Sequence, residues 1–203
     1  MKKALTIGEL LITMAIIGVI AMLVLPGFLK DYHNRLYATK LRKTIETIEI
    51  AVNQACVDNN VSYFSQTTYS KASSAADQQA FIDKYFKKIS SGTKKPFANE
   101  YRSINGTSTG SLNDLESNVG HGKLASGEAI SMACLPNESY CRFRIDVNSL
   151  DGPNVGGRDL FIVGVNKETN QVYEPHSVDT CHNHFSGQGC FGLLLEHNWE
   201  IIY

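Results

Sequence analysis

The chain has 203 residues, a formal net charge of −1 and 19% charged side chains. That length accommodates one globular domain and one membrane segment, and the near-neutral balance excludes a general nucleic-acid surface, which would make the domain strongly basic. Five cysteines, all outside the most apolar stretch, suit an oxidising compartment better than the cytosol, and the odd number leaves at least one thiol unpaired or shared between molecules.

The run 5–29, LTIGELLITMAIIGVIAMLVLPGFL, holds one formal charge, Glu9. Lys2 and Lys3 precede it; Lys30, Asp31, His33 and Arg35 follow it. About 20 apolar residues suffice to cross a bilayer as a helix. A carboxylate inside such a helix costs on the order of 2.5–3.5 kcal/mol at mid-membrane, so Glu9 requires a specific partner. The run is longer than the apolar core of an ordinary secretory signal, and no A-x-A site closes it. Hydropathy alone leaves a plain uncleaved anchor as the alternative, with Glu9 lying among head groups.

Beyond Pro26-Gly27 the helical pattern continues. Ala38, Leu41, Ile45, Ile48, Val52 and Ala55 recur at spacings of three and four, one apolar stripe on an amphipathic helix. Pro26 lacks a backbone N–H, so it bends or locally opens a helix without necessarily ending it. One helix is therefore predicted over 6–57, apolar all round in its first half and one-faced in its second, with Asp58-Asn59-Asn60 as its stop.

Residues 61–74 are polar, with Tyr63, Phe64 and Tyr69. A second helix is predicted over 75–90, with Phe81, Ile82, Tyr85, Phe86 and Ile89 on its apolar face and Lys84, Lys87 and Lys88 at its end, where the helix dipole favours cations. Residues 91–127, rich in Ser, Gly, Asn and Thr, read as a long surface loop tacked down at Ile104 and between Leu112 and Leu115. Strands are expected over 128–134, 140–147, 159–165, 171–173 and 192–203, with a hairpin loop at 166–170 and Trp199 as the largest core side chain. Helix first and strands after predict an α+β fold, a long N-terminal helix packed on a C-terminal antiparallel β-sheet.

Between 146 and 159, Asp146, Asn148, Asp151, Asn154 and Asp159 recur among glycines. Such oxygen donors suit a hard cation such as Ca²⁺, although no Glu stands at the twelfth position of an EF-hand loop. The alternative is an Asx-rich turn whose side chains bond local backbone. Cys134 with Cys141, and Cys181 with Cys190, bracket short segments, and each spacing can close a disulfide loop worth roughly 2–3 kcal/mol. Three pairings of these four cysteines stay open, with Cys56 left near the helix end. Cys181, His182, His184 and Cys190 also offer a zinc ligand set, in a spacing that matches no familiar zinc module. No Ser-His-Asp set, phosphate-cradling glycine loop or H-E-x-x-H motif stands out, so no enzyme is expected.

The N-terminal residues resemble those of type IV pilins and type II secretion pseudopilins. MKKA stands as the short basic leader, Ala4 as its last residue, Leu5 as the first mature residue, Glu9 as the fifth, and Pro26 where many members bend the helix. The chain departs from the family pattern in Ala4 for Gly, Leu5 for Phe, and Gly8 at a commonly aliphatic position. The resemblance implies a leader at 1–4, a transmembrane polymerisation helix at 5–29, its amphipathic continuation at 30–57, a variable helix and loop region at 58–127, and a sheet with disulfide loops at 128–203. It implies that prepilin peptidase cuts between Ala4 and Leu5 and methylates Leu5, and that the freed amine of one subunit pairs with Glu9 of a neighbour. Two costly charges then neutralise each other. The implied location is the inner membrane, single-pass with a periplasmic C-terminal domain, and then a fibre of pilin or pseudopilin subunits. The 146–159 stretch resembles a segment of pseudopilin-like proteins, and major pseudopilins carry a calcium site in C-terminal loops, so Ca²⁺ is the one cofactor the family suggests. The implied function is that of a structural subunit of a type IV pilus-like or type II secretion pseudopilus fibre. One alternative is a minor pilin whose 61–127 region binds a surface, a secreted substrate or DNA, nucleic acid being expected only for a competence-type pilin. Another is a membrane-anchored enzyme built on the Cys/His cluster.

Overall fold

The structure, a computed structural model, describes residues 6–71, 74–90, 95–112 and 119–203. The expected leader and its Ala4–Leu5 junction, and the tacking point at Leu115, lie outside these residues. The chain divides into two compact units, Met1–Leu36 and Tyr37–Tyr203. Helix α1, Ile7–Asp58, runs through both and holds Pro26 without ending there.

In the first unit, α1 is long and apolar enough to cross a membrane. Residues 7–29 rise roughly 35 Å at 1.5 Å per residue, against a hydrocarbon core of about 30 Å. Their large aliphatic side chains are exposed, Met22 and Leu23 at 77% each. Continuous apolar exposure of this extent is unfavourable in water.

In the second unit the predicted stripe is buried: Ala38, Leu41, Ile45, Ile48, Val52 and Ala55 all lie in the core. They pack on an antiparallel sheet made of β1 (Lys88–Ser90), β4 (Gly120–Leu124), β5 (Ala129–Cys134), β6 (Tyr140–Asp146), β7 (Leu160–Asn166) and β8 (Val172–Tyr173), in that spatial order. Strands β2 (Tyr101–Arg102) and β3 (Thr109–Gly110) form a separate small hairpin. Alternation along the strands sorts the sheet faces. Ile130, Met132, Phe143, Ile145, Phe161 and Val163 join α1 in one core cluster, whereas Ala129 and Leu160 belong to a second with Phe97, Ala98, Tyr101 and Leu112. The α+β expectation holds.

Three local expectations do not. The second helix, α2, stops at Tyr85 (Ala75–Tyr85), and Lys88–Ser90 pairs antiparallel with β4 instead of continuing the helix. The expected loop over 91–127 contains strand β4, which is second from the sheet edge and pairs with both β1 and β5. Its glycines hid it from a propensity reading, yet Gly120 is required, because a Cβ there would lie 2.4 Å from the carbonyl carbon of Gln78. The expected last strand is instead the helix α3, Cys190–Glu196, followed by irregular chain. A short apolar run does not by itself distinguish strand from helix; here the Glu174 carboxylate accepts from the Phe191 and Gly192 amides (3.1 and 3.2 Å) and holds the first helical turn. Trp199 is half-buried, edge-on to Phe191 and under the Arg42 guanidinium, and is not a central core residue.

Candidate functional site

Glu9 sits in the first turn of α1 and is exposed. Its Oε2 accepts from the Thr6 backbone N–H (2.9 Å) and the Thr6 hydroxyl (2.8 Å), while the Glu9 N–H donates to Thr6 Oγ1 (3.3 Å). This reciprocal arrangement is a capping box, which supplies partners to amides that the helix start leaves unbonded. The Thr-x-x-Glu spacing was readable in the sequence as a helix-start signal and gives Glu9 a local structural role. Both Thr6 contacts fall on Oε2.

Asp146, Asn148, Asn154 and Asp159 are brought together in the connection from β6 to β7. Asp146 Oδ2 accepts from the Tyr101 hydroxyl at 2.5 Å and Oδ1 from the Asn148 N–H at 3.0 Å. The Asp159 oxygens accept from the Asn154 and Val155 amides at 2.7 Å each. The Asn148 amide donates to Gly152 O and to the Tyr37 hydroxyl of α1. Both carboxylates are fully buried, and burial raises Asp146 to about 7 and pushes Asp159 up as well. Asp151 stays exposed, apart from this network.

As a calcium site the set fits poorly. A hard cation takes six to eight oxygens, but here protein donors already engage both carboxylates. Among the described residues no group of three or more His, Cys, Asp or Glu side chains converges as a metal-binding set. The buried, unpartnered Oδ1 atoms of Asn148 and Asn154 are the features that favour a cation. The stretch works as the Asx-rich turn of the alternative reading, in which side chains satisfy backbone amides and lock the connection.

Cys134 bonds Cys141 and Cys181 bonds Cys190, with Cα separations of 4.3 and 4.6 Å, and Cys56 is free and buried. Cys134 and Cys141 stand directly opposite each other across β5 and β6. The second disulfide consumes both thiols of the zinc alternative. His184 instead shares a hydrogen bond with the Ser186 hydroxyl, 2.8 Å away, and burial lowers its pKa. Two shallow concavities occur near the sheet, one of about 220 Å³ beside Lys43, Phe86 and Lys87, the other of about 420 Å³ beside Tyr101, Arg102 and Asn154.

No protein-family model, no curated protein and no solved structure matches this chain. What the geometry defines is a class: an α+β protein with, among the described residues, one helix long and apolar enough to span a membrane, and a disulfide-bonded sheet domain.

Proposed function

We propose that this chain is a structural subunit of a type IV pilus-like or type II secretion pseudopilus fibre, cut after Ala4 by prepilin peptidase and polymerised through α1. The observation that carries this reading is the exposed apolar half of α1 with Glu9 as its one carboxylate, five residues into the expected mature chain. Exposed aliphatic side chains on every side of a helix suit lipid before assembly and neighbouring helices after it. In that setting Glu9 offers its carboxylate to the Leu5 amine of a neighbouring subunit. The disulfides support an oxidising compartment for the sheet domain, in keeping with a periplasmic side.

N-terminal sequencing of the chain from its native membrane is expected to begin at Leu5; a mature chain still beginning at Met1, in cells with active peptidase, would sink the proposal. Glu9→Ala is expected to leave membrane insertion intact and to reduce incorporation into fibres at least tenfold. Unchanged incorporation would refute the pairing.

A further inference from the structure

The irregular chain that follows α1 carries the acceptor pattern for N-linked glycosylation, Asn-x-Ser/Thr, at Asn60-Val61-Ser62. The same pattern recurs at Asn105-Gly106-Thr107 and Asn137-Glu138-Ser139. The structure separates the three.

The Asn105 side chain is committed at both ends. Its Oδ1 accepts from the Thr107 amide and hydroxyl and from the Ser103 hydroxyl, and its Nδ2 donates to Asn183 Oδ1 at 2.6 Å. Asn137 is exposed, but its loop is closed by the Cys134–Cys141 disulfide and pinned by Lys167, whose Nζ donates to Leu135 O and whose N–H donates to Ser139 O. The disulfide restricts how far this loop can re-form around a transferase site. Asn60 lies outside both disulfide loops, although the Val61 N–H donates to Cys56 O, the Ser62 N–H donates to Gln66 Oε1 and Ser62 O accepts from Asn170 Nδ2. It is exposed, in the left-handed region at φ 54°, just past the last helical residue, Asp58. Among the described residues no partner engages its side-chain amide, and its backbone N–H is satisfied by Val57 O. Ser62 is exposed as well. Asp58 stands two residues before the acceptor, which completes the longer acidic-x-Asn-x-Ser form; Leu135 and Ser103 hold that place in the other two. Asp58 accepts from Lys84 Nζ at 2.8 Å, from Gln54 Nε2 at 2.8 Å and from the Tyr85 hydroxyl at 3.1 Å, and these partners must yield before a transferase cation takes the carboxylate.

We propose that Asn60 is an N-glycosylation acceptor, taking an oligosaccharide from a polyprenyl-diphosphate-linked donor. In the transfer, Asn60 Nδ2 forms a bond to the anomeric carbon of the first sugar, the carbon–oxygen bond to the diphosphate breaks, and the diphosphate leaves with that electron pair. The amide loses one proton to a base of the transferase. No oxidant or reductant is needed. The inference rests on the exported placement of the sheet domain in the proposed function.

The test uses full-length chain purified from the envelope of its native cell, digested with trypsin and read by mass spectrometry, with thiols alkylated before reduction. The peptide 44–71 is expected to carry hexose or N-acetylhexosamine mass, which is lost completely in Asn60→Gln and in Ser62→Ala and retained in Asn105→Gln. An unmodified 44–71 peptide, or sugar on Asn105 or Asn137 in its place, overturns the proposal. The alkylation pattern separates the two failures. Oxidised Cys134, Cys141, Cys181 and Cys190 with no sugar refute Asn60 alone, whereas reduced cysteines with no sugar refute the exported placement and the acceptor together.

Discussion

Asp146 is an ionisable group placed where water cannot reach it. Its carboxylate is fully buried, bonded to the Tyr101 hydroxyl and close to Asp159, and burial raises its pKa to about 7. A folded-state pKa above the unfolded value means that the native state binds the proton more tightly. The contribution of Asp146 to stability is then fully present below about pH 4 and is lost as pH rises to about 7, a change on the order of 2–4 kcal/mol. Urea unfolding of the full chain in detergent between pH 4 and pH 8 is expected to show this decline, and Asp146→Asn is expected to flatten it. An unchanged slope in the variant would mean that another group is responsible. The residue types of the turn were visible in the sequence. Its main buried partner was not, because Tyr101 lies far from Asp146 in the chain and meets it only when the small hairpin folds against the sheet.

At the level of elements, α2 is held to the sheet by side chains that imitate a strand. Gln78 donates from Nε2 to Cys134 O (3.2 Å) and accepts at Oε1 from Cys134 N–H (3.1 Å), and Gln79 does the same with His121 (3.0 Å each). Gln78 is fully buried and Gln79 is half-buried. Truncating Gln78 strands a buried donor and a buried acceptor, so Gln78→Ala is expected to cost about 2–4 kcal/mol, against roughly 1 kcal/mol for Gln79→Ala, where water can reach the freed groups. Thermal and urea unfolding measure both, and equal losses would contradict the role of burial. The start of α2 was legible, since Ser74 accepts from the Asp77 amide as a cap. Its end was not. Lys87-Lys88-Ile89 reads as a helix terminus, but β4 offers hydrogen bonds to an extended chain and the pairing decides the conformation. The same holds for α3, where a single carboxylate, Glu174, holds a helical turn that composition left open.

Over the whole molecule, the two disulfides close loops of sequence separation 7 and 9. Each is expected to contribute about 2–3 kcal/mol, mainly by restricting the unfolded chain. Replacing Cys134 and Cys141 together by Ser, or Cys181 and Cys190 together, is expected to lower the urea-unfolding free energy by that amount. Unfolding without reductant, followed by alkylation, is expected to modify Cys56 alone; label on any of the other four would contradict this pairing. By itself the sequence determined the elements with a long, regular hydrophobic period: α1, its division into an apolar half and a one-faced half, the stripe from Ala38 to Ala55, and the strands β5 to β7. Periodicity over many residues outweighs local ambiguity, because each turn or pleat repeats the same burial. Tertiary structure alone decided the short elements β1, β4 and α3, the disulfide map, and the hydrogen bonding of the Asx-rich turn. These depend on partners distant in the chain, whose hydrogen bonds outweigh the weak preferences of a few residues.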